Sequence, residues 1–203
     1  MMERWVNDSW TSTPATTRGL LAILLLAVSG CTMHSGLPEL GGVPAFALTT
    51  QTGAAFSSDS LKGKVWVADF IFTTCNGPCP RMSAQMHRLQ NALLKRSDTM
   101  NSVRLVSITV DPRHDDAKTL LEYSGHFRAD PRIWSFLTGP EAEIRKLSVD
   151  TFHVNTAVDL LEHSTRFILV DGKAQIRGYY ESTDATMLNQ LVVDIDKLRK
   201  EVL

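Results

Sequence analysis

Two cysteines separated by three residues are the part of the sequence best suited to chemistry. Cys75 and Cys79 enclose Asn76-Gly77-Pro78. An apolar run precedes them and an apolar repeat of helical spacing follows, so the pair lies where a buried strand ends and a helix begins, a position where α/β proteins bind ligands. The positive end of the helix dipole predicts a lowered cysteine pKa there. Because a thiolate is both a nucleophile and a soft-metal ligand, redox chemistry or metal binding is favoured over two inert buried thiols.

The elements that must position these cysteines predict an α/β fold with a central mixed sheet flanked by helices. Residues 64–72 are apolar apart from Asp69, the pattern of a strand covered on both faces. Met82 and Met86 continue at helical spacing after Cys79, so we expect core packing there rather than thioether ligation. The remaining predicted strands are a hairpin within 44–56, then 103–110, 134–137, 164–170 and 175–180, with helices after the first, second and last of these four.

The first 30 residues predict an export signal. Nine apolar residues from Leu20 to Val28 follow Arg18, which is signal-peptide length and far short of a membrane span. Val28-Ser29-Gly30-Cys31 resembles the lipobox of bacterial lipoproteins, so Cys31 is the predicted lipid anchor; an ordinary secretory signal with a chance cysteine is the alternative. We therefore expect a lipoprotein signal peptide at 1–30, a tether at 31–42 and a folded domain at 43–203 on the extracytoplasmic, periplasmic face of a membrane.

The motifs of the domain resemble those of the Sco/SenC family, thioredoxin-like copper-handling factors that assemble the binuclear copper centre of cytochrome oxidase. The resemblance runs over nearly all of 44–203. Its landmarks are Phe72-Thr73-Thr74-Cys75, the C-x-x-x-C-P spacing, Thr109-Val110-Asp111-Pro112, Trp134 to Gly139, and His163-Ser164 before a strand. The resemblance implies a thioredoxin-like fold with an added N-terminal β-hairpin. The cysteine loop departs from the family pattern, because many members carry an acidic residue between the two cysteines.

The same resemblance implies copper ligands at Cys75, Cys79 and His163. Two thiolates and one imidazole suit Cu(I) better than Cu(II), and a tetrahedral zinc site would want a fourth ligand. A lone histidine is more often a surface or hydrogen-bonded residue, but the position of His163 before Ser164, a strand and the Asp171-Gly172 turn favours a ligand. The implied activity is that of a membrane-anchored, monomeric metallochaperone. Its partner would be the copper-bearing subunit of cytochrome c oxidase or another copper chaperone.

Asp69 supports a second interpretation, a thiol-disulfide oxidoreductase that keeps partner cysteines reduced. Cys75 would attack and Cys79 would resolve the mixed disulfide. Asp69 lies six residues before Cys75, similar to the buried aspartate of thioredoxin that relays protons to the second cysteine. A buried acid with a raised pKa suits a proton relay, and an acid hydrogen-bonded to its surroundings is the open alternative.

Composition excludes several other classes of protein. The 203 residues carry 21 Lys and Arg against 22 Asp and Glu, for a formal charge of -1, so the chain is not a basic nucleic-acid binder. Three cysteines are too few for a small disulfide scaffold. No phosphate-binding glycine loop or Ser-His-Asp order stands out from the sequence.

Overall fold

A computed structural model describes residues 35–96, 98–155 and 165–202 of the chain. Seven strands form one mixed sheet in the order β2-β1-β5-β4-β3-β6-β7, so the predicted α/β class with its N-terminal hairpin is confirmed. The strands are β1 (Ala47–Thr50), β2 (Ala55–Ser57), β3 (Val65–Ile71), β4 (Val103–Thr109), β5 (Trp134–Thr138), β6 (Arg166–Val170) and β7 (Ile176–Glu181). The helices are α1 (Pro78–Leu94), α2 (Ala117–His126), α3 (Glu141–Arg145) and α4 (Met187–Val202).

Strand β3 lies inside the sheet between β4 and β6, and all seven of its residues are buried. It pairs in parallel with β4 and antiparallel with β6. Side chains alternate between the two faces, as the strand period requires. Val67 packs in the layer formed by α1, α2 and α4, while Trp66 packs in the layer that contains α3 and the hairpin. Asp69 shares the parity of Val67 and therefore faces the α1 layer.

The sheet has two ends that differ in function. We call the end where β3, β4 and β5 finish the cysteine end, because Cys75 and Cys79 follow β3 there. The other end, where these three strands begin, is the basal end. Strand β6 runs in the opposite direction, so it starts at the cysteine end and finishes at the basal end.

The predicted Asp171-Gly172 turn joins β6 to β7 at the basal end. Asp171 accepts hydrogen bonds from the backbone N–H groups of Lys173 and Gln175, both at 2.9 Å. Gly172 is required by a close approach, because a Cβ atom there would lie 3.0 Å from the backbone of Gly63. The N–H of Gly63 donates to the Gly172 carbonyl, which fixes the turn against the start of β3.

One element departs from its prediction. The expected continuous helix through Ile144, Leu147 and Phe152 ends at Arg145 and continues as a π-helical turn over Lys146–Thr151. The side chains of Ile144, Leu147 and Phe152 are nevertheless all buried in the α3 layer. The wider turn keeps the apolar contacts that the sequence pattern indicated.

Residues 35–42 are the described part of the predicted tether, and they contact the body of the domain. The N–H of Leu40 donates to the carbonyl of Ile176 at 2.8 Å, and Gly42 forms a β-bridge with Gln175. The predicted signal peptide and Cys31 lie outside the described residues and stay predictions. Within the described ranges, no helix has both the length and the hydropathy needed to cross a membrane.

Candidate functional site

The cysteine turn lies between the end of β3 and the start of α1. Pro78 occupies the first turn of α1, where its missing N–H costs nothing, and Cys79 follows it in the helix. Cys75 and Cys79 are 5 % and 3 % exposed, and the structure has both as thiols. The N–H of Gly77 donates to the Cys75 sulfur at 3.4 Å, and the two thiols are hydrogen-bonded to each other. The predicted pairing of two sulfurs at a helix start is therefore present.

The electrostatics of Cys79 differ from the prediction of a lowered pKa. Burial first, and the hydrogen bond with Cys75 second, raise the pKa of Cys79 to about 12. The negative charge of Asp69 acts in the same direction. The helix dipole is outweighed because the thiol is removed from water. Cys79 is therefore held as a protonated thiol until something displaces its proton.

Asp69 is fully buried beneath the cysteine turn. Its Oδ1 accepts a hydrogen bond from the Ser107 hydroxyl at 2.6 Å, and Ser107 in turn accepts one from the Trp134 indole N–H at 3.0 Å. Its Oδ2 is buried without a hydrogen-bond partner. Burial outweighs the Ser107 hydrogen bond and raises the pKa of Asp69 to about 7. Sequence reasoning anticipated a raised pKa here; the relay function stays a prediction.

Asp115, in the loop after β4, is a residue that the sequence analysis missed. It is fully buried, and its Oδ2 accepts hydrogen bonds from the Thr73 N–H at 3.0 Å and the Thr109 hydroxyl at 2.6 Å. Its Oδ1 accepts from the Thr73 hydroxyl at 2.5 Å and from His114 Nδ1 at 3.0 Å. Since Thr73 is two residues before Cys75, Asp115 fastens the cysteine turn to the end of β4. The sequence feature that could have identified Asp115 is its position just after the Thr109-Val110-Asp111-Pro112 motif.

The third predicted ligand, His163, lies outside the described residues. Within the described residues, no group of three or more His, Cys, Asp or Glu side chains could hold a metal ion. Strand β6 begins at Arg166, and Ile168 pairs with Ala68 of the antiparallel neighbour β3. Met82 and Met86 are fully buried in the core, as predicted.

A family model identifies the relatives of this chain. The model of the SCO1/SenC family matches residues 38–198. The chain belongs to the SCO1/SenC family. A SCO1/SenC family lipoprotein from Bacillus anthracis has a similar crystal structure, with a TM-score of 0.70 and 33 % identity over 79 % of this chain and 96 % of that one. The family resemblance and its thioredoxin-like fold are confirmed.

Two further SCO1/SenC structures carry functional descriptions. BsSco, described as a member of the Sco family of cytochrome c oxidase assembly proteins with a disulfide switch, is 30 % identical with a TM-score of 0.70. That alignment covers 81 % of this chain and 96 % of BsSco. Copper-bound ScoI from Bradyrhizobium japonicum is 26 % identical with a TM-score of 0.62, over 78 % of this chain and 99 % of that one.

Proposed function

We propose that this protein binds one copper ion through Cys75, Cys79 and His163 and passes it to a copper-bearing subunit of cytochrome c oxidase or to another copper chaperone. It would act on the extracytoplasmic face of a membrane, held there by a lipid on Cys31. Copper is the cargo in this scheme, so no substrate is turned over. Copper-bound ScoI, the assembly role of BsSco and the lipoprotein from Bacillus anthracis support the proposal through family membership.

The observation that carries the proposal is the buried pair of thiols, Cys75 in the cysteine turn and Cys79 at the start of α1, at the end of the sheet where the strand after His163 begins. Only three positions separate His163 from Arg166, where β6 begins at the cysteine end. Three residues of extended chain span at most about 11 Å. A histidine just before β6 is therefore within chain reach of the cysteine end, which is what a three-ligand site requires.

The donor set fits Cu(I). Two sulfurs and one imidazole are soft or borderline donors, and a nearly dry environment disfavours a bare divalent ion. Thiols that are protonated in the absence of metal exchange their protons for copper, so binding releases protons. Transfer to a recipient then proceeds by ligand exchange, in which the recipient's donors replace Cys75, Cys79 and the imidazole one at a time.

A Cu(I) competition titration tests this site. We expect one Cu(I) per chain, and we expect His163→Ala to weaken binding by roughly 100-fold because one of three ligands is lost. His126→Ala is the matched control, since His126 is an exposed histidine at the end of α2 and should leave the affinity unchanged. Equal affinity of the wild type and His163→Ala would contradict the three-ligand proposal.

The second candidate is dithiol-disulfide exchange, and the observation that favours it is the unpartnered Oδ2 of buried Asp69. In this reaction the Cys75 thiolate attacks a partner disulfide and releases one partner thiolate. Cys79 then attacks the mixed disulfide, so the partner gains two electrons and two protons while Cys75 and Cys79 form a disulfide. The disulfide switch of BsSco supports this possibility. A disulfide-reduction assay run beside the copper titration separates the two functions.

The relay role of Asp69 in that second reaction is testable with the reduced protein. We expect Asp69→Asn to change the pH dependence of thiol alkylation, because Asp69 would no longer accept a proton near pH 7. Ser83→Ala, another buried polar change on the α1 layer, is the control. Superimposable alkylation profiles for the wild type and Asp69→Asn would remove the relay.

A further inference from the structure

Arg177 on β7 fastens the beginning of the described chain to the domain. Its side chain is only 2 % exposed. The guanidinium donates to the carbonyls of Leu37 and Pro38, both at 2.9 Å, and to the Ser35 hydroxyl at 3.0 Å. These three hydrogen bonds from one rigid, buried guanidinium group hold the segment against the domain, so it is not a flexible linker.

The same guanidinium shows at which end of the molecule the segment is held. Arg177 forms ion pairs with Asp171 at 2.7 Å and with Glu201 at 3.0 Å. Asp171 is in the basal turn between β6 and β7, and Glu201 is near the end of α4. The chain therefore enters the domain at the basal end, opposite Cys75 and Cys79.

Four positions separate Ser35 from Cys31. An extended chain of four residues spans at most about 14 Å, so a lipid on Cys31 would keep the basal end within that distance of the membrane surface. A free tether of twelve residues would instead allow roughly 40 Å between the lipid and the domain, and it would allow any orientation of the domain. The docking of residues 35–38 removes that freedom.

The charge of the basal end matches an anionic surface. Lys95, Lys173 and Lys200 are exposed there, and within the described part of the chain none of them has an acidic side chain within ion-pair distance. The nearby acids Asp98 and Asp196 pair with Arg199 at 2.7 Å and with Arg96 at 2.5 Å, and exposed Glu39 in the entry segment offsets only one of the three lysines. Uncompensated positive charge is therefore left at this end.

The opposite end has no such excess of positive charge. Exposed Asp116 and partly exposed Asp111 follow β4 at the cysteine end, and they are matched in number by exposed Arg81 and Lys118 in the first turns of α1 and α2. A molecule with an excess of positive charge at one end aligns in the field of an anionic surface with that end toward the surface.

We infer that the basal end rests on anionic phospholipid headgroups and that the cysteine turn faces away from the membrane. This orientation rests on the proposed lipidation of Cys31. Seven residues of β3 place the cysteine turn about 20 Å above the basal end. The recipient must then present its copper-accepting groups on a domain that projects from the membrane.

Lysine acetylation of the full chain in vesicles tests the orientation. The protein is produced in cells fed labelled palmitate and reconstituted in phosphatidylcholine vesicles with about 30 % phosphatidylglycerol. We expect Lys95, Lys173 and Lys200 to react about fivefold more slowly than in detergent, because headgroups cover them. Exposed Lys118, at the start of α2 at the cysteine end, is the internal control and should keep its rate.

Charge reversal isolates the electrostatic contribution. We expect Lys95→Glu with Lys200→Glu to restore the reactivity of Lys173 in anionic vesicles, whereas Lys118→Glu should not. Equal protection of Lys173 in pure phosphatidylcholine vesicles would overturn the role of anionic lipid. Protection of Lys118 instead of the basal lysines would overturn the orientation.

The test distinguishes this inference from the copper proposal. Absence of palmitate from Cys31 would overturn the anchor and the orientation together while leaving Cu(I) affinity unaffected. Palmitate on Cys31 with unchanged lysine reactivity would overturn the orientation alone. A failed copper titration would contradict the copper site and leave the lysine pattern as expected.

Discussion

Two fully buried carboxylates near the cysteine turn differ in the number of hydrogen bonds that they accept. Asp115, in the loop after β4, has four donors within hydrogen-bond distance, from Thr73, Thr109 and His114. Asp69, in the middle of β3, accepts from Ser107 alone and leaves one oxygen without a partner. Equal burial therefore has different consequences, because the number of donors decides whether the lost hydration is replaced.

The difference assigns different roles to the two regions. The Asp115 loop has a structural role, since the Asp115 carboxylate links the backbone before Cys75 to the end of β4 by hydrogen bonds. The Asp69 region stores a titratable proton beneath the thiols, since burial raises the pKa of Asp69 to about 7. Mutation of Asp115 should therefore mainly lower the free energy of unfolding. Mutation of Asp69 should mainly change how that free energy depends on pH.

Removal of the Asp115 carboxylate should have the largest effect. We expect Asp115→Ala to lower the free energy of unfolding by about 4 kcal/mol, because the Thr73 N–H and two hydroxyls lose a buried charged acceptor. Urea denaturation measures the loss. Asp111→Ala, in the same loop but partly exposed, is the control and should cost well under half as much. Equal losses in the two variants would contradict the structural role of Asp115.

The pH dependence of stability should reveal Asp69. Between pH 4 and pH 7 the unfolded chain loses the Asp69 proton while the folded protein retains it, so the free energy of unfolding should fall by about 3 kcal/mol as pH rises. Asp69→Asn should lack this component. Urea denaturation across the range measures both proteins. Parallel pH curves for the two would show that Asp69 does not titrate as its burial requires.

Ser107 is the hydrogen-bond donor to Asp69, so its removal should increase the difference between Asp69 and Asp115. We expect Ser107→Ala to lower the free energy of unfolding by about 2 kcal/mol, since the Trp134 N–H also loses its acceptor. Loss of the donor should raise the pKa of Asp69 further and extend the fall in stability above pH 7. Ser83→Ala, which removes a hydrogen bond of 3.0 Å to Tyr123, is the control and should leave that pH range unchanged. A shift in the control of the same size would contradict the assignment.

The smallest effect is expected at His114, the exposed member of the Asp115 group. The hydrogen bond to Asp115 raises the pKa of His114, so its stabilisation is present below the unfolded pKa of 6.5 and is lost as pH rises through the folded value. His114→Gln should remove only this component of the pH curve, as measured by thermal unfolding between pH 5 and pH 8. A loss comparable to that of Asp115→Ala would mean that the ring, rather than the carboxylate, fastens the turn.

Periodicity and turn chemistry were sufficient to predict most of the fold. The buried strand around Asp69, the helix beginning beside Cys79 and the Asp171-Gly172 turn all follow from local pattern, because each is encoded within a few neighbouring residues. The π-helical turn after Arg145 was not predicted, since its apolar spacing fits an α-helix as well.

The long-range contacts could not be predicted from local pattern. Asp115 binds Thr73 across 42 positions, and Arg177 binds Ser35 across 142. Nothing in the neighbourhood of either residue reveals its partner, because these contacts exist only once the sheet is assembled. The lowered pKa expected for Cys79 was wrong for a related reason, since burial of the thiol depends on the packing of distant helices. His163 as a copper ligand stays a prediction.

The arrangement around Arg177 also has a consequence for the connectivity of the polypeptide. Because the Ser35 N–H donates to the Glu201 carboxylate, the two extremities of the described fold touch. A short peptide joining them should allow a circular permutant with new termini in the exposed 52–54 turn of the first hairpin. Such a rearranged chain would carry any fused reporter on the hairpin edge of the sheet, away from both the entry segment and the thiols.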